Sequence, residues 1–282
     1  MDHIKKLNMN LKGVKIIDTN FAHAKYTTDF QESKHIEWIR WATPEKNELL
    51  FMTDNSLRNH QNYGGTKVGM LMEPRAINGP IYEWVKSNHN SFYKIFTYDK
   101  ELIETCSNIE FYPHCGCWIK DADQKIYDKK MLLSIISSAK AQTEGHNLRH
   151  ESISAAIKNE INIDIFGRKY NHIDYKLEAL KDYAFSIIIE NSKIDYYFTE
   201  KLIDSFVTGT VPIYWGCPSI GDFFNLDGMI IFNNIDELIY NLESLSFQKY
   251  ESMLPAIKDN FERAKKYLIA EDWLYNNTKI FK

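Results

Sequence analysis

The stretch AFSIIIENSKIDYYFTEKLIDSFVTGTVPIYWG, residues 184–216, leaves the chain few ways to fold. AFSIIIE is apolar enough to be a strand covered on both faces. In TEKLIDSFVTG the apolar Leu202, Ile203, Phe206 and Val207 share one helical face, and Gly209 ends the helix. TVPIYWG is a second apolar run. Strand, loop, helix and strand in this order predict a right-handed crossover unit of a parallel sheet. Ligands of such sheets bind beyond the carboxyl ends of the strands.

That rule places Glu190, Asn191 and the loop after them at the mouth of the sheet, with Thr199 as helix N-cap and Glu200 and Lys201 in the first turn. A helix start presents unpaired N–H groups and the positive end of its dipole. Lys201 adds a full charge, and the combination suits a diphosphate. Glu200 suits neutral hydroxyls such as those of a ribose. The same residues also read as turn formers and a solvated first turn. Their concentration in one loop after a buried strand favours a ligand site.

Elsewhere, short apolar runs alternate with helical spacing. GVKIIDT, ELLFMT and TKVGML read as strands, FQESKHIEWIRWAT and PIYEWVKSNH as helices, and FYKIFTYD and IEFYPH as further strands. A polar interval, WIKDADQKIYDKK, follows, and the alternation then restarts with MLLSIISS, HNLRHESISAAIKNE and INIDIFG. The expectation is an α/β protein of two domains, residues 1–125 and 126–282, the second carrying an amphipathic helix at its carboxyl end.

Lys and Arg number 34 against 38 Asp and Glu, so the basic footprint of a nucleic-acid binder is missing and any anionic ligand must be met locally. No apolar run approaches the roughly 20 residues that span a bilayer, and MDHIKKLNMNLKG lacks the apolar core of a signal peptide, so a cytoplasmic protein is expected. Cys106, Cys115, Cys117 and Cys217 form no Cys-x-x-Cys pair and read as reduced packing residues; HCGC alone is a weak zinc signature.

The order FSIIIENS, YFTEK, GTVPIYWG resembles the signature of the alpha-1,3-fucosyltransferase family, and YWGCPSIGDFF continues the likeness to its bacterial branch. The resemblance implies a GT-B architecture, two Rossmann-like domains facing a central cleft, with GDP-fucose held by the carboxy-terminal one. It implies donor contacts at Asn191, Tyr197, Glu200 and Lys201, and a diphosphate contact at Arg149 in HNLRHESISAAI. Glu190 and Lys181 take supporting roles. An Arg fork beside a Lys point charge is a sensible pair for a pyrophosphate leaving group.

The family's chemistry implies one inverting displacement that moves L-fucose to a glycan hydroxyl, alpha-1,3 on a GlcNAc-type sugar. A carboxylate from the first domain serves as base. KVGMLMEPRAI offers Glu73 after an apolar run and before Pro74, and FTYDKEL offers Tyr98 and Asp99 as acceptor-side contacts. No metal site is assigned: Asp121 and Asp123 sit in the polar interval rather than at a strand end. No cofactor is required, and stimulation by a divalent ion stays open. Two alternatives remain, a transferase for another GDP-sugar and a non-catalytic sugar-nucleotide or glycan-binding protein. The acceptor and the oligomeric state are not legible.

Overall fold

The structure is a computed structural model and describes residues 11–18, 25–114 and 116–281. The chain start and Cys115 lie outside the described residues. The apolar runs of the first part become β1 (Lys12–Ile17), β2 (Ile36–Arg40), β3 (Leu49–Thr53), β4 (Thr66–Met70), β5 (Lys94–Thr97) and β6 (Ile109–Phe111). Their order across the sheet is β2-β1-β3-β4-β5-β6, all parallel. In the second part β7 (Met131–Ile136), β8 (Asp164–Phe166), β9 (Tyr183–Ile189), β10 (Val211–Trp215) and β11 (Ile230–Ile231) form a second parallel sheet, ordered β11-β10-β9-β7-β8. The division expected at residue 125 falls in the segment joining Phe111 to Met131.

Helices cover the sheets: α1 (Arg75–Asn88) and α2 (Lys100–Thr105) on the first, α3 (Glu144–Lys158), α4 (Glu200–Phe206), α5 (Ile235–Glu243), α6 (Phe247–Ser252) and α7 (Leu254–Ala264) on the second, then α8 (Ala270–Asn277). β9 shows why its sequence is apolar without alternation. Phe185, Ile187 and Ile189 pack with Ile153 of α3 and Leu238 of α5, whereas Ile188 packs with Leu202, Ile203 and Phe206 of α4. Both faces are covered, and each such side chain contributes about 1.5–3 kcal/mol by leaving water.

Three expectations change. The helix expected over FQESKHIEWIRWAT is instead the edge strand β2: Ile36 and Trp38 are buried while Ile39 is exposed, an alternation of two. The helix expected from PIYEWVKSNH begins earlier, at Arg75, and breaks at Asn78 (φ −134°, ψ 42°) ahead of Pro80, which cannot donate to the preceding turn.

The tail does not stay with the second sheet. Ile257 of α7 packs there, but Ala270 and Leu274 of α8 cross back to Val14, Ile16 and Trp38 of the first. The buried Glu271 fixes α8, accepting from the Thr27 hydroxyl at 2.6 Å and the Trp38 indole at 2.7 Å. Among the described residues no helix is long and apolar enough to cross a membrane.

Candidate active site

In the second sheet the chain leaves β7 toward β8 on one side and returns to β9 on the other, so the strand order reverses between β7 and β9. A crevice opens at such a point beyond the carboxyl ends of the two strands. α3 starts in it. The Thr143 hydroxyl caps the helix, accepting from the His146 N–H at 3.2 Å. Gly145 lies so close to the end of β9 that a Cβ there would stand 1.7 Å from the Glu190 carbonyl oxygen, and its N–H donates to the Asn191 carbonyl at 3.2 Å. Only glycine permits that approach.

One turn further along α3, the buried Arg149 donates through Nε to the Ile189 carbonyl at 3.2 Å and through a terminal nitrogen to Asn191 Oδ1 at 2.8 Å. Burial works against its charge, and Glu190 and Glu200 act in the opposite sense. Arginine stays protonated through such shifts, so the fork remains a cation at the crevice.

Glu190 follows β9 directly and is fully buried, its oxygens accepting from the Thr199 N–H at 2.8 Å and the Thr199 hydroxyl at 2.7 Å. Lys201 Nζ lies 3.0 Å from the Thr199 hydroxyl, 3.4 Å from Glu190 and 3.6 Å from Glu200. Glu200 also meets Lys176 at 3.4 Å, and Lys176 meets the buried Asp204 at 2.8 Å. Burial alone would raise the Glu200 carboxyl, but Lys201 and then Lys176 hold it well below the usual carboxylate range. It stands ionised at the wall of the crevice.

Glu73 faces these groups from the first sheet, three residues past the end of β4. A cavity of about 370 Å³ is lined by Glu73, Arg149, Asn191, Tyr197, Glu200 and Lys201 together. Half-burial pushes the Glu73 carboxyl up, Lys201 and Lys140 oppose the shift, and Glu200 adds to it.

Three expected residues stand elsewhere. Tyr98 is 1% exposed, its ring packed 4.8 Å from that of Tyr197, so no acceptor reaches it. Asp99 caps α2, accepting from the Leu102 N–H at 3.0 Å, and forms a two-pronged ion pair with Arg75. Both are expected at the acceptor and are instead scaffold, because both are buried, Tyr98 against Tyr197 and Asp99 against Arg75 and the start of α2. Lys181 precedes β9, at the end of that strand away from the crevice, and does not line the cavity.

The cavity also collects residues that no local pattern marks: His114, Lys140, His146 and Lys176. His114 comes from the segment joining the sheets. Its Nδ1 is buried with no hydrogen-bond partner among the described residues, and burial lowers it to about 4. His146, whose Nδ1 lies 2.9 Å from the Thr143 hydroxyl, is likewise lowered to about 4, first by burial and then by Arg149. Asp121 and Asp123 form a short helical turn in which Asp123 accepts from the Tyr175 hydroxyl at 3.0 Å. Among the described residues no group of three or more His, Cys, Asp or Glu is arranged to hold a metal ion.

Two parallel-sheet units with a cleft at the strand-order reversal have the GT-B glycosyltransferase architecture. The chain superposes over 98% of its length on the crystal structure of an alpha1,3-fucosyltransferase with GDP, covering 94% of that chain with a TM-score of 0.58 at 17% identity. Over 80% of its length it also matches TarM, at TM-score 0.52 and 13% identity, covering 54% of that chain. At these identities the likeness is one of fold.

Sequence places the chain further. Residues 126–253, a little under half of the chain, match glycosyltransferase family 10 (fucosyltransferase), carboxy-terminal domain. The alpha-(1,3)-fucosyltransferase FucT of Helicobacter pylori is 39% identical over 83 residues, 28% of this chain and 17% of the relative. GDP-fucose protein O-fucosyltransferase 3 of Homo sapiens is 29% identical over 102 residues, 36% of this chain and 19% of the relative. The alignments therefore span less than a fifth of either relative's own length.

Proposed function

We propose that this protein transfers L-fucose from GDP-fucose to a hydroxyl of a glycan acceptor, with inversion at the anomeric carbon. One observation carries the reading: the raised carboxyl of Glu73, from the first sheet, shares a single cavity with Arg149 and Lys201 of the second. Arg149 and Lys201 bind the diphosphate and stabilise its charge as the leaving group departs. Asn191 orients Arg149, and Glu200 and Tyr197 line the donor side. Glu73, as carboxylate, takes the acceptor hydroxyl proton while the oxygen attacks the anomeric carbon. The bond from that carbon to the diphosphate oxygen breaks, and GDP leaves with the electron pair. A base with a raised midpoint accepts this proton more readily than an ordinary surface carboxylate.

No metal or other cofactor is required in this reading, because the two cations supply the charge. The acceptor is a glycan of GlcNAc type and the linkage alpha-1,3. We place the protein in the cytoplasm, which cell fractionation checks.

The test is a donor panel. The protein is incubated with GDP-fucose, with GDP-mannose and with UDP-sugars in the presence of a GlcNAc-terminated oligosaccharide, and products are read by mass and NMR. A fucosylated product with a new 1,3 linkage is expected. Transfer from another donor and none from GDP-fucose would replace the donor. Tight GDP-fucose binding with no turnover on a broad acceptor panel would leave a binding protein.

A further inference from the structure

Glu73 lies outside regular structure, past the end of β4, yet its main chain is held from both sides. The buried carboxylate of Asp54 accepts from the Met72 N–H at 3.0 Å and the Glu73 N–H at 3.4 Å. The Tyr82 hydroxyl, on α1, donates to the Glu73 carbonyl at 2.7 Å and meets the Tyr98 hydroxyl at 3.2 Å. Tyr98 in turn reaches the Met72 carbonyl at 3.4 Å. Asp54 has φ +42°, a left-handed conformation that a non-glycine residue adopts at a cost, which fits a carboxylate fixed for a purpose.

Tyr82 is itself fixed. Its ring lies 4.7 Å beneath the Arg75 guanidinium, which Asp99 holds. The ring of Tyr98 rests 4.8 Å from that of Tyr197, in the loop that leads into α4. Tyr82 and Tyr98 are both almost fully buried, so neither hydroxyl meets substrate.

We infer that Tyr82 and Tyr98, with Asp54, are positioning residues that fix the main chain of Glu73 so that its carboxyl is held in the cleft facing Lys201, and that Tyr98 ties this clamp to the donor loop through Tyr197. The inference rests on Glu73 as the base. Its consequence is that loss of one hydroxyl, with the ring kept, loosens the base without touching the donor site.

The experiment uses Tyr82→Phe and Tyr98→Phe in the full chain, beside Tyr250→Phe as control. Tyr250 is a buried tyrosine of the second sheet unit whose hydroxyl donates to the Gly209 carbonyl at 2.8 Å, far from Glu73 in the fold. Two quantities are read: kcat and KM with GDP-fucose, and the titration midpoint of the Glu73 carboxyl by ¹³C NMR, assigned with Glu73→Gln. In Tyr82→Phe and Tyr98→Phe, kcat should fall about tenfold, as loss of one hydrogen bond allows. KM for the donor should stay, and the midpoint should move down toward an ordinary glutamate as the carboxyl reaches water. Tyr250→Phe should change neither. The inference is overturned if the midpoint stays in both variants, if kcat stays while the midpoint moves, or if Tyr250→Phe produces the same changes. If the parent transfers no fucose, the proposed function fails, and the midpoint alone then decides whether the clamp positions Glu73.

Discussion

Glu190, at the end of β9, binds Thr199, at the start of α4, with both carboxylate oxygens: 2.8 Å to the N–H and 2.7 Å to the hydroxyl. The carboxylate has no exposure, so it is a brace within the cleft wall and contacts no ligand. It fixes the loop between β9 and α4 at its two ends, and through its 3.4 Å contact with Nζ it sets where Lys201 points.

Replacing Glu190 by Gln keeps the shape and turns one acceptor into a donor facing the donors of Thr199. The expected result is a loss of stability of about 1–3 kcal/mol, the cost of one buried unsatisfied polar group. GDP binding should weaken as well, because Lys201 loses its anchor. Chemical denaturation and calorimetry on the same sample check both; a variant as stable as the parent would show that the brace carries no energy.

The second sheet unit is legible in the sequence because its decisive features are local. β9 is apolar throughout, α4 shows its buried face at helical spacing, and Glu190 to Lys201 form one contiguous stretch from the end of β9 to the first turn of α4. β2 was not legible: Ile36 and Ile39, and Trp38 and Trp41, are spaced by three as well as alternating by two, and a short run satisfies both patterns. His114 and Lys176 reach the cavity through tertiary packing alone. The sequence also does not say which side of the β5 end is covered, so Tyr98 and Asp99 read as contacts until the packing of Tyr197 and Arg75 against them is seen.

Lys201→Ala and Arg149→Ala should each weaken GDP binding. A charge-assisted hydrogen bond contributes about 1.5–3 kcal/mol, so affinity should fall roughly tenfold to a hundredfold per variant. Isothermal titration at two salt concentrations measures this. Unchanged affinity in both variants would remove the diphosphate from this end of the cleft.

Transfer should persist in excess EDTA, since Arg149 and Lys201 supply the charge that a metal would bring to the diphosphate. Asp121→Asn with Asp123→Asn should behave like the parent, because Asp123 is bonded to Tyr175 in the joining segment. A complete loss of activity that added magnesium or manganese restores would refute this.

Acid should unfold the protein in part through His114. Its folded value of about 4 lies below its ordinary 6.5, so between these values the unfolded chain binds more protons. The stability from keeping this ring neutral is therefore present above pH 6.5 and lost as pH falls toward 4. His114→Gln removes the linkage. From pH 7 to pH 5 the parent should lose about 1–2 kcal/mol more than the variant, measured by urea denaturation at each pH. Parallel losses would mean that the folded His114 titrates like a free histidine.

Glu73→Gln tests the chemistry with the least disturbance to the fold. The side chain keeps its size, and its main-chain bonds to Asp54 and Tyr82 do not involve the carboxyl, so the clamp survives. Only basicity goes. General-base catalysis typically contributes about 10² to 10⁴ in rate, so kcat should fall by that factor while GDP affinity, set by Arg149 and Lys201, barely changes. In the parent, kcat/KM should decline on the acid side around a midpoint above the usual glutamate value, because burial raises the carboxyl and only the ionised form accepts a proton. That limb should vanish from the residual activity of Glu73→Gln. Turnover near the parent's would place the base elsewhere in the cleft, and an equal loss of turnover and GDP affinity would make Glu73 a tie between the two sheets.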